Sequence, residues 1–352
     1  MDLIYMNSNR EDIGVLFGYE LDLSIGDDEN NFECVIGEKA HCCQQGFFLY
    51  AEGTEYGGIV DAIQVDTAKG EVTYSGRTWH GILDSKILEP DAGKSHLVLS
   101  GELHAVIREL IERIGLETLF TVDSAECPIK VDGYKMRRYT SAYAGIIEML
   151  ESVGAKLLFS YHDGMVVLSV CHVARYMDGV DSDYLDFRAK KSTNIVNHLI
   201  ILGSGEMENR AVYHLYADTA GNISEEQTQF GIDEYAATYD YSAAENDEDL
   251  LGYARQRFRE LRNRDSVKAD FNETDDLYSI GDAIGVYDNV TGLSMVAIIA
   301  KKIVTIKDGK TTIGYETKTN VGSLIHENSF ITADGYYLID ADNKYFVVQE
   351  GQ

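Results

Sequence analysis

Short segments in which apolar and polar residues alternate dominate the first 90 residues. Residues 19–24 place Leu21 and Leu23 on one face and Glu20 and Asp22 on the other, which is the period of a half-buried β-strand. Similar segments lie at residues 46–51, 56–65 and 71–75. Turn-forming residues separate them, so the pattern predicts a β-rich N-terminal region.

Helical periodicity replaces this alternation in the middle of the chain. One apolar stripe predicts a helix between Ser100 and Gly115, and a second predicts a helix between Ser141 and Gly154, each with a capping residue at its start and a glycine at its end. A hairpin follows, with its turn at His162-Asp163-Gly164. Two helices and a hairpin predict an α+β unit.

The last part of the chain returns to strands, after a third predicted helix at residues 247–263. This helix carries acidic residues in its first turn and arginines towards its end, which complements the helix dipole. The strands are predicted at 194–202, 211–217, 277–287, 293–306, 310–319 and, as a terminal hairpin, 335–348. The order β, α+β, β predicts an α+β fold dominated by strands.

Length and composition indicate how many domains to expect. A chain of 352 residues with 45% hydrophobic content is too long for one compact core, and two or three domains are expected. The chain has 32 glycines and 23 tyrosines but only 2 prolines, which suits strands joined by tight turns.

The charge restricts the possible partners. Lysine and arginine total 30 against 59 acidic residues, giving a formal charge of −29. Such a surface repels phosphates and anionic membranes, which argues against DNA binding by a basic patch. A role in which DNA passes the protein without binding remains compatible with this charge.

Neither the N-terminus nor the cysteines indicate secretion. The first residues lack a signal peptide, and the longest apolar windows, 199–202 and 295–300, are too short for a membrane anchor. The five cysteines show no C-x-x-C spacing, so we expect free, buried thiols in a protein made in a reducing compartment.

The segment Gly76-Arg77-Thr78-Trp79-His80-Gly81 contains the only tryptophan. Continued alternation would place Trp79 on the polar face of its strand, unless Gly76 and Gly81 interrupt the count as bulges. Arg77 and Trp79 would form either a binding or catalytic pair, or a structural pair in which the indole covers a barrel end and Arg77 stacks on it or meets a carboxylate. No nucleophile or ligand set accompanies them, which favours the structural alternative.

Catalytic, cofactor and metal motifs are incomplete. Residues 91–95, Asp-Ala-Gly-Lys-Ser, resemble the end of a phosphate-binding loop but lack its first glycine. The glycine and closing glutamate of a calcium loop are missing from the acidic stretch 178–186. His172, His198 and His214 lie in predicted strands without metal-ligand spacing. We therefore predict no catalytic residue, no cofactor and no metal.

Several ordered stretches resemble a family of siphovirus-type tail proteins of phages and prophages, which is related to the N-terminal regions of tail-associated lysins and to baseplate hub proteins. The likeness extends over about residues 1–320. The stretches that carry it are MDLIYMNSNREDIGVL, EGTEYGGIVDAIQVD, YSGRTWHGIL, GAKLLFSYHDGMVVLS and GDAIGVYDNVTGLSMVAIIAKKIVTIKDGKTTIGYE.

The resemblance implies two small β-barrel domains like those of the tail tube, with an α+β domain inserted between them. Carried over to this chain, residues 1–95 with 190–240 would form the first barrel and residues 96–189 the peripheral α+β domain. Residues 241–352, with the helix 247–263, would form the second barrel and the C-terminal strands. Gly76 and Gly81 would then let a long barrel strand bend, with Trp79 plugging the barrel and Arg77 anchoring a carboxylate.

The function implied by the resemblance is structural. A homotrimer would form a baseplate ring that joins the tail tube, or a distal tail protein, to other tip proteins, and DNA would pass through its channel. The protein would be made in the host cytoplasm and act in the virion tail, not as an enzyme. Two alternatives stay open, a tail-associated peptidoglycan hydrolase component and a tip protein that binds a glycan or receptor.

Overall fold

The computed structural model describes residues 1–27, 29–181, 187–190, 196–205, 207–218, 222–242, 247–262, 266–273, 276–287, 290–291 and 294–319. These residues belong to two units. The first comprises Met1–Phe187 with Lys268–Lys318, and the second comprises Arg188–Val267 with Thr319.

Strands are the dominant secondary structure among the described residues, as predicted. They are β1 Leu3–Met6, β2 Asp12–Leu16, β3 Glu20–Gly26, β4 Asn31–Gly37, β5 Phe48–Tyr50, β6 Gly57–Asp66, β7 Glu71–Thr78, β8 Ile87–Leu88, β9 Val98–Glu102, β10 Phe120–Val122, β11 Lys130–Lys135, β12 Thr140–Ser141, β13 Ala155–His162, β14 Met165–His172, β15 Arg175–Asp181, β16 Phe187–Lys190, β17 His198–Leu202, β18 Val212–Ala217, β19 Ile223–Ser224, β20 Ala236–Asp240, β21 Ser266–Glu273, β22 Ala283–Tyr287, β23 Ser294–Lys307 and β24 Lys310–Thr319. The α-helices are α1 Trp79–Asp84, α2 Leu103–Arg113, α3 Ala142–Glu151 and α4 Asp247–Arg262.

One large sheet organises the first unit. Its strands follow the order β21-β24-β23-β3-β4-β7-β6-β5-β1-β2, and β22 pairs with both β23 and β15. Within the described residues this order does not close into a barrel. Its apolar core draws on strands near both ends of the unit, for example Leu23 of β3, Tyr74 of β7, Val304 of β23 and Tyr315 of β24.

β3, near the start of the chain, pairs with β23, which lies close to the end of the described residues. Leu23 lies opposite Val304 in antiparallel register, so the strands of residues 294–319 belong with the N-terminal strands. Residues 198–240 form a separate sheet in the second unit. Alternation along a strand shows which face is buried but not which strand is its neighbour, and this is why the sequence pattern did not reveal the grouping.

The predicted α+β part lies in the first unit, and its elements are confirmed. Helices α2 and α3 share one apolar cluster with β10, β13 and β14. Ser141 caps α3 by accepting a hydrogen bond from the Ala144 amide. Ser100 does not cap α2, because it lies in β9; the carboxylate of Glu102 caps the helix instead, accepting from the amides of His104 and Ala105.

The hairpin turn between β13 and β14 is also confirmed. His162 and Met165 face each other in register. The two residues between them, Asp163 and Gly164, have φ angles of +49° and +81°, the left-handed conformation that the favoured two-residue hairpin turn requires.

The second unit contains a four-stranded sheet in the order β19-β18-β17-β20, together with α4. Leu199 and Ile201 of β17 contact Leu250, Ala254 and Phe258 of the helix in one buried cluster. The apolar stripe of α4 therefore buries one face of the sheet, as helix periodicity requires.

Two other predictions concern the cysteines and the C-terminal residues. All five cysteines are free; Cys34, Cys43 and Cys127 are buried, whereas Cys42 and Cys171 are half-buried. The predicted terminal hairpin at 335–348 lies outside the described residues.

Among the described helices, none combines the length and apolar composition that a membrane span requires.

Candidate functional site

The segment that contains Trp79 changes from strand to helix. β7 ends at Thr78, whose hydroxyl accepts a hydrogen bond from the Gly81 amide at 3.3 Å and caps α1. The prediction of a continuous bent strand through Trp79 and Gly81 was therefore wrong. A threonine directly before the helix is a known start signal, but six residues are too few to show helical periodicity.

The two predicted glycines allow close contact between backbones. A β-carbon at Gly76 would lie 1.8 Å from the carbonyl oxygen of Ile59, and one at Gly81 would lie 2.1 Å from that of Asn30. Both distances are far below van der Waals contact, so neither position accepts a side chain without a backbone shift. Gly81 thus lets α1 approach Asn30, the residue before β4, and Gly76 lets β7 approach β6.

The bulge in this region lies in β6, opposite Gly76. Val60 pairs with Gly76 and Ala62 pairs with Ser75, which leaves Asp61 as the extra residue. Its carboxylate accepts hydrogen bonds from the backbone amide of Arg77 at 3.0 Å and from Nε and Nη2 of its guanidinium at 2.8 Å each. These hydrogen bonds to Arg77 lower the pKa of Asp61. Because Arg77 is 43% exposed, the pair fixes the register of the strands more than it stabilises the fold.

Trp79 is fully buried and lies in the apolar cluster of the α+β part. Its ring is nearly parallel to that of Tyr161, with centroids 5.5 Å apart, and stacks on Phe48 at 6.0 Å. The indole also covers Gly57, where a β-carbon would meet Nε1 at 2.7 Å. Trp79 therefore joins β5 and β6 of the large sheet to β13, and it does not fill the core between the strands of that sheet.

His80 connects this cluster to a buried charged network. Its ring centroid lies 3.8 Å from that of Phe159 and 5.5 Å from that of Tyr143, and Nε2 is 3.6 Å from a carboxylate oxygen of Glu55. Within the described residues, Nδ1 has no hydrogen-bond partner. Burial lowers the pKa of His80 to about 3, and the charge of Lys302 adds to the effect. The imidazole is therefore neutral at physiological pH.

We call the adjoining group the Lys302 network: Lys302, Glu55, Asp276, Tyr56 and Tyr315. The ammonium of Lys302, 2% exposed, donates to a carboxylate oxygen of Glu55 and to one of Asp276, each at 2.6 Å. The hydroxyls of Tyr56 and Tyr315 donate to Asp276 at 2.5 and 3.2 Å. Burial alone would lower the pKa of Lys302, but the two carboxylates raise it above its ordinary value, so the lysine is charged.

A second buried ion pair lies nearby in the same unit. Lys156 of β13 donates to Asp282 at 2.6 Å, and the two side chains are 9% and 1% exposed. Asp282 also accepts from the amides of Ala174 and Ser279 at 3.0 and 2.8 Å. The two ion-pair sites together tie segments from the beginning, middle and end of the first unit to one another.

A polar cleft of about 320 Å³ opens beside the Lys302 network. Glu55, Asp276, Lys302 and the hydroxyls of Ser160 and Ser169 line it. The lysine and the carboxylates already satisfy one another, and the raised pKa keeps the amine protonated. The arrangement is therefore suited to holding strands together and not to supplying a nucleophile.

The sequence offers two candidate groups for metal binding, the acidic stretch 178–186 and three histidines in strands. In the ranges that the structure describes, no three or more His, Cys, Asp or Glu side chains are grouped so that they could hold a metal ion. Part of the acidic stretch 178–186 lies outside those ranges. His172, His198 and His214 are in strands, as predicted.

The neutral state of His80 predicts a pH effect on stability. The folded pKa of about 3 lies below the ordinary value of 6.5, so the unfolded chain takes up a proton that the folded chain does not between these values. Stability is therefore present above pH 6.5 and is lost as the pH falls. Relative to His80→Leu, the free energy of unfolding of the native chain should fall by about 1.4 kcal/mol between pH 7.5 and 5.5.

Urea unfolding at several pH values, all above the pI of 4.5, measures this difference. His172→Leu is the control, because His172 is exposed in β14, and it should keep the native pH slope. Parallel curves for the native chain and His80→Leu would contradict the prediction, because they would show that the imidazole takes up its proton equally in the folded and unfolded states.

No protein-family model and no curated protein matches the sequence. The structure, however, is similar to the crystal structure of a tail protein from Neisseria meningitidis MC58, with a TM-score of 0.51 and 15% identity over 91% of this chain and 96% of that chain. It is also similar to the 43 kDa tail protein of prophage MuSo2 from Shewanella oneidensis, with a TM-score of 0.53 and 12% identity over 90% of this chain and 98% of that one. The likeness to tail proteins that the sequence predicted is thus confirmed for the fold.

Proposed function

We propose that this chain is a structural baseplate hub or distal tail protein of a phage or prophage tail. The observation that carries the proposal is the fold, which matches two tail proteins over about nine-tenths of this chain. The sequence resemblance to siphovirus-type tail proteins points the same way. The protein would be made in the host bacterial cytoplasm and act in the virion tail without catalysing a reaction.

In this proposal three copies form a ring that joins the tail tube to the tip proteins. The barrel-like domains expected from the resemblance would be built from β1–β7 on one side and β22–β24 on the other. The two groups are in direct contact, since β3 pairs with β23 and both groups of strands contribute to one core. The buried ion pairs of Lys302 with Glu55 and Asp276 would keep the two groups in a fixed geometry, and the pair of Lys156 with Asp282 would hold β13 of the α+β part to the residue before β22.

The ring would leave a channel through which DNA passes without binding. One pair of carboxylates supports an acidic channel wall: Asp22 lies directly opposite Glu33. Asp22 and Glu33 are exposed. Like charges in this position destabilise a sheet, so their presence favours a role outside folding. Repulsion of phosphates from such a wall lets DNA slide.

Light scattering and electron microscopy of the purified full chain test the proposal. We expect a mass three times that of the 39.2-kDa chain, and end-on views with threefold symmetry and a central opening. On tail particles that carry a tagged copy, gold label should lie at the tip.

Three results would contradict the proposal in different ways. A tag found away from the tail would exclude a hub, and a ring with a basic opening would exclude the acidic channel. Release of fragments from purified cell walls would favour the hydrolase alternative.

A further inference from the structure

Two histidines and a glutamate come together on the sheet of the second unit, outside the site described above. His198 of β17 lies opposite Tyr216 of β18, and His214 is two residues before Tyr216 on the same strand. His198 and His214 are therefore diagonal neighbours on one face. Glu234 lies two residues before β20, whose first residue, Ala236, pairs with His198.

Glu234 determines which nitrogen of His198 carries the proton. A carboxylate oxygen of Glu234 lies 2.6 Å from Nδ1 of His198, and because a carboxylate only accepts, Nδ1 must donate. This leaves the lone pair of Nε2 available in the neutral imidazole. Nε2 faces Nδ1 of His214 at 2.8 Å.

The loop that carries Glu234 is held in place by Asn197. The side-chain amide of Asn197 donates to the carbonyl oxygen of Asp233 at 2.6 Å, and its oxygen accepts from the amide of Tyr235 at 2.8 Å. The residues on both sides of Glu234 are thus fixed next to β17. A carboxylate that orients a histidine in this way is the usual outer support of a metal-binding imidazole.

We propose that His198 and His214 bind one divalent transition-metal ion, such as Zn²⁺, between Nε2 and Nδ1, with water completing its coordination. At metal–nitrogen distances of about 2.0–2.1 Å, two ligands of a tetrahedral ion lie roughly 3.3 Å apart. The present 2.8 Å separation therefore needs to increase by only about 0.5 Å. His214 is exposed, so its ring has room to make this movement.

The metal class follows from the ligands. Imidazole nitrogens select Zn²⁺, Cu²⁺ or Ni²⁺ over the hard ions Mg²⁺ and Ca²⁺, which prefer oxygen. Two protein ligands make a weaker site than three, and a third is not grouped with them in the described part of the chain. The site would bind an ion from the solution without being needed for folding.

Calorimetric titration of the chelator-treated full chain with Zn²⁺ tests this site. We expect His214→Ala to bind one Zn²⁺ fewer than the native chain, and Glu234→Gln to bind it with an affinity about 10- to 100-fold lower, because the support for His198 is weakened. His172→Ala is the matched control, since it removes an exposed strand histidine from the other unit. It should keep the site, and Mg²⁺ should give no such signal.

The electron paramagnetic resonance spectrum of the Cu²⁺-loaded chain provides a second readout. It should show two imidazole nitrogens in the native chain and fewer in His214→Ala. Equal Zn²⁺ uptake and equal spectra for the native chain and His214→Ala would overturn the proposal and leave the two rings joined by a hydrogen bond only.

Discussion

Replacing Lys302 with methionine is expected to lower the free energy of unfolding by about 3–5 kcal/mol, the range found when one partner of a buried ion pair is removed. Methionine keeps the length of the side chain but leaves the carboxylates of Glu55 and Asp276 without their cation. Each of them lies 2.6 Å from the ammonium in the native protein. Chemical unfolding followed by circular dichroism measures the loss.

Two further variants distinguish the effect of losing the Lys302 network from the general effect of losing a lysine. Lys69→Met removes a lysine that is 68% exposed and 4.0 Å from Asp66, and its effect should stay within about 0.5 kcal/mol. Combining Lys302→Met with Glu55→Gln and Asp276→Asn removes the unpaired charges and should restore part of the stability. If Lys302→Met and Lys69→Met are equally stable, the network does not hold the strands together.

The helices were predictable because their signals are local. α2, α3 and α4 each carry an apolar stripe of period 3.6, and Ser141 caps α3 as the sequence indicates. The hairpin turn at Asp163 and Gly164 is equally local. None of these elements depends on residues far away in the chain.

The pairing of strands was not predictable in the same way. β3 and β23 are separated by most of the chain, and each has buried positions that suit many neighbours. The sequence order therefore suggested that 190–240 returns to the N-terminal strands, whereas β23 is the neighbour of β3 in the large sheet. How the chain divides into units depends on which distant strands pair and in which register.

The Lys302 network has one local signal in the sequence. In β23, Lys302 has the same parity as the buried residues Val304 and Ile306, so alternation places a lysine on the apolar face. A buried lysine needs a paired carboxylate, which predicts a partner such as Glu55 or Asp276 without identifying it. Those partners come from distant segments, and only the fold brings them together.

The segment around Trp79 likewise combines a local signal in the sequence with a feature that depends on the fold. Its composition marked it as unusual, and the close approaches at Gly76 and Gly81 explain why glycine is needed there. The pattern did not show that Trp79 starts a helix, because a single turn of helix between strands has no period to detect. Its side chain consequently lies in the cluster shared with the α+β part and not in the core of the large sheet.

Trp79→Ala should lower the free energy of unfolding by about 3–5 kcal/mol, the usual cost of removing a large buried aromatic ring. The ring is fully buried, and it stacks on Tyr161 and Phe48. Its loss would open a cavity between β5 and β6 on one side and β13 on the other. Scanning calorimetry is the suitable measurement, because this variant has no tryptophan fluorescence left.

Because each unit has its own apolar core, the effect should appear in the calorimetric transition of the first unit. Phe17→Ala serves as the control: that ring is 80% exposed in the same unit, and its removal should change stability by no more than about 0.5 kcal/mol. Trp79→Phe should fall between the native chain and Trp79→Ala, since phenyl fills part of the cavity. An unchanged melting temperature in Trp79→Ala would mean that the indole does not stabilise the packing of β5 and β6 against β13. That result would favour the alternative in which Trp79 belongs to a binding site.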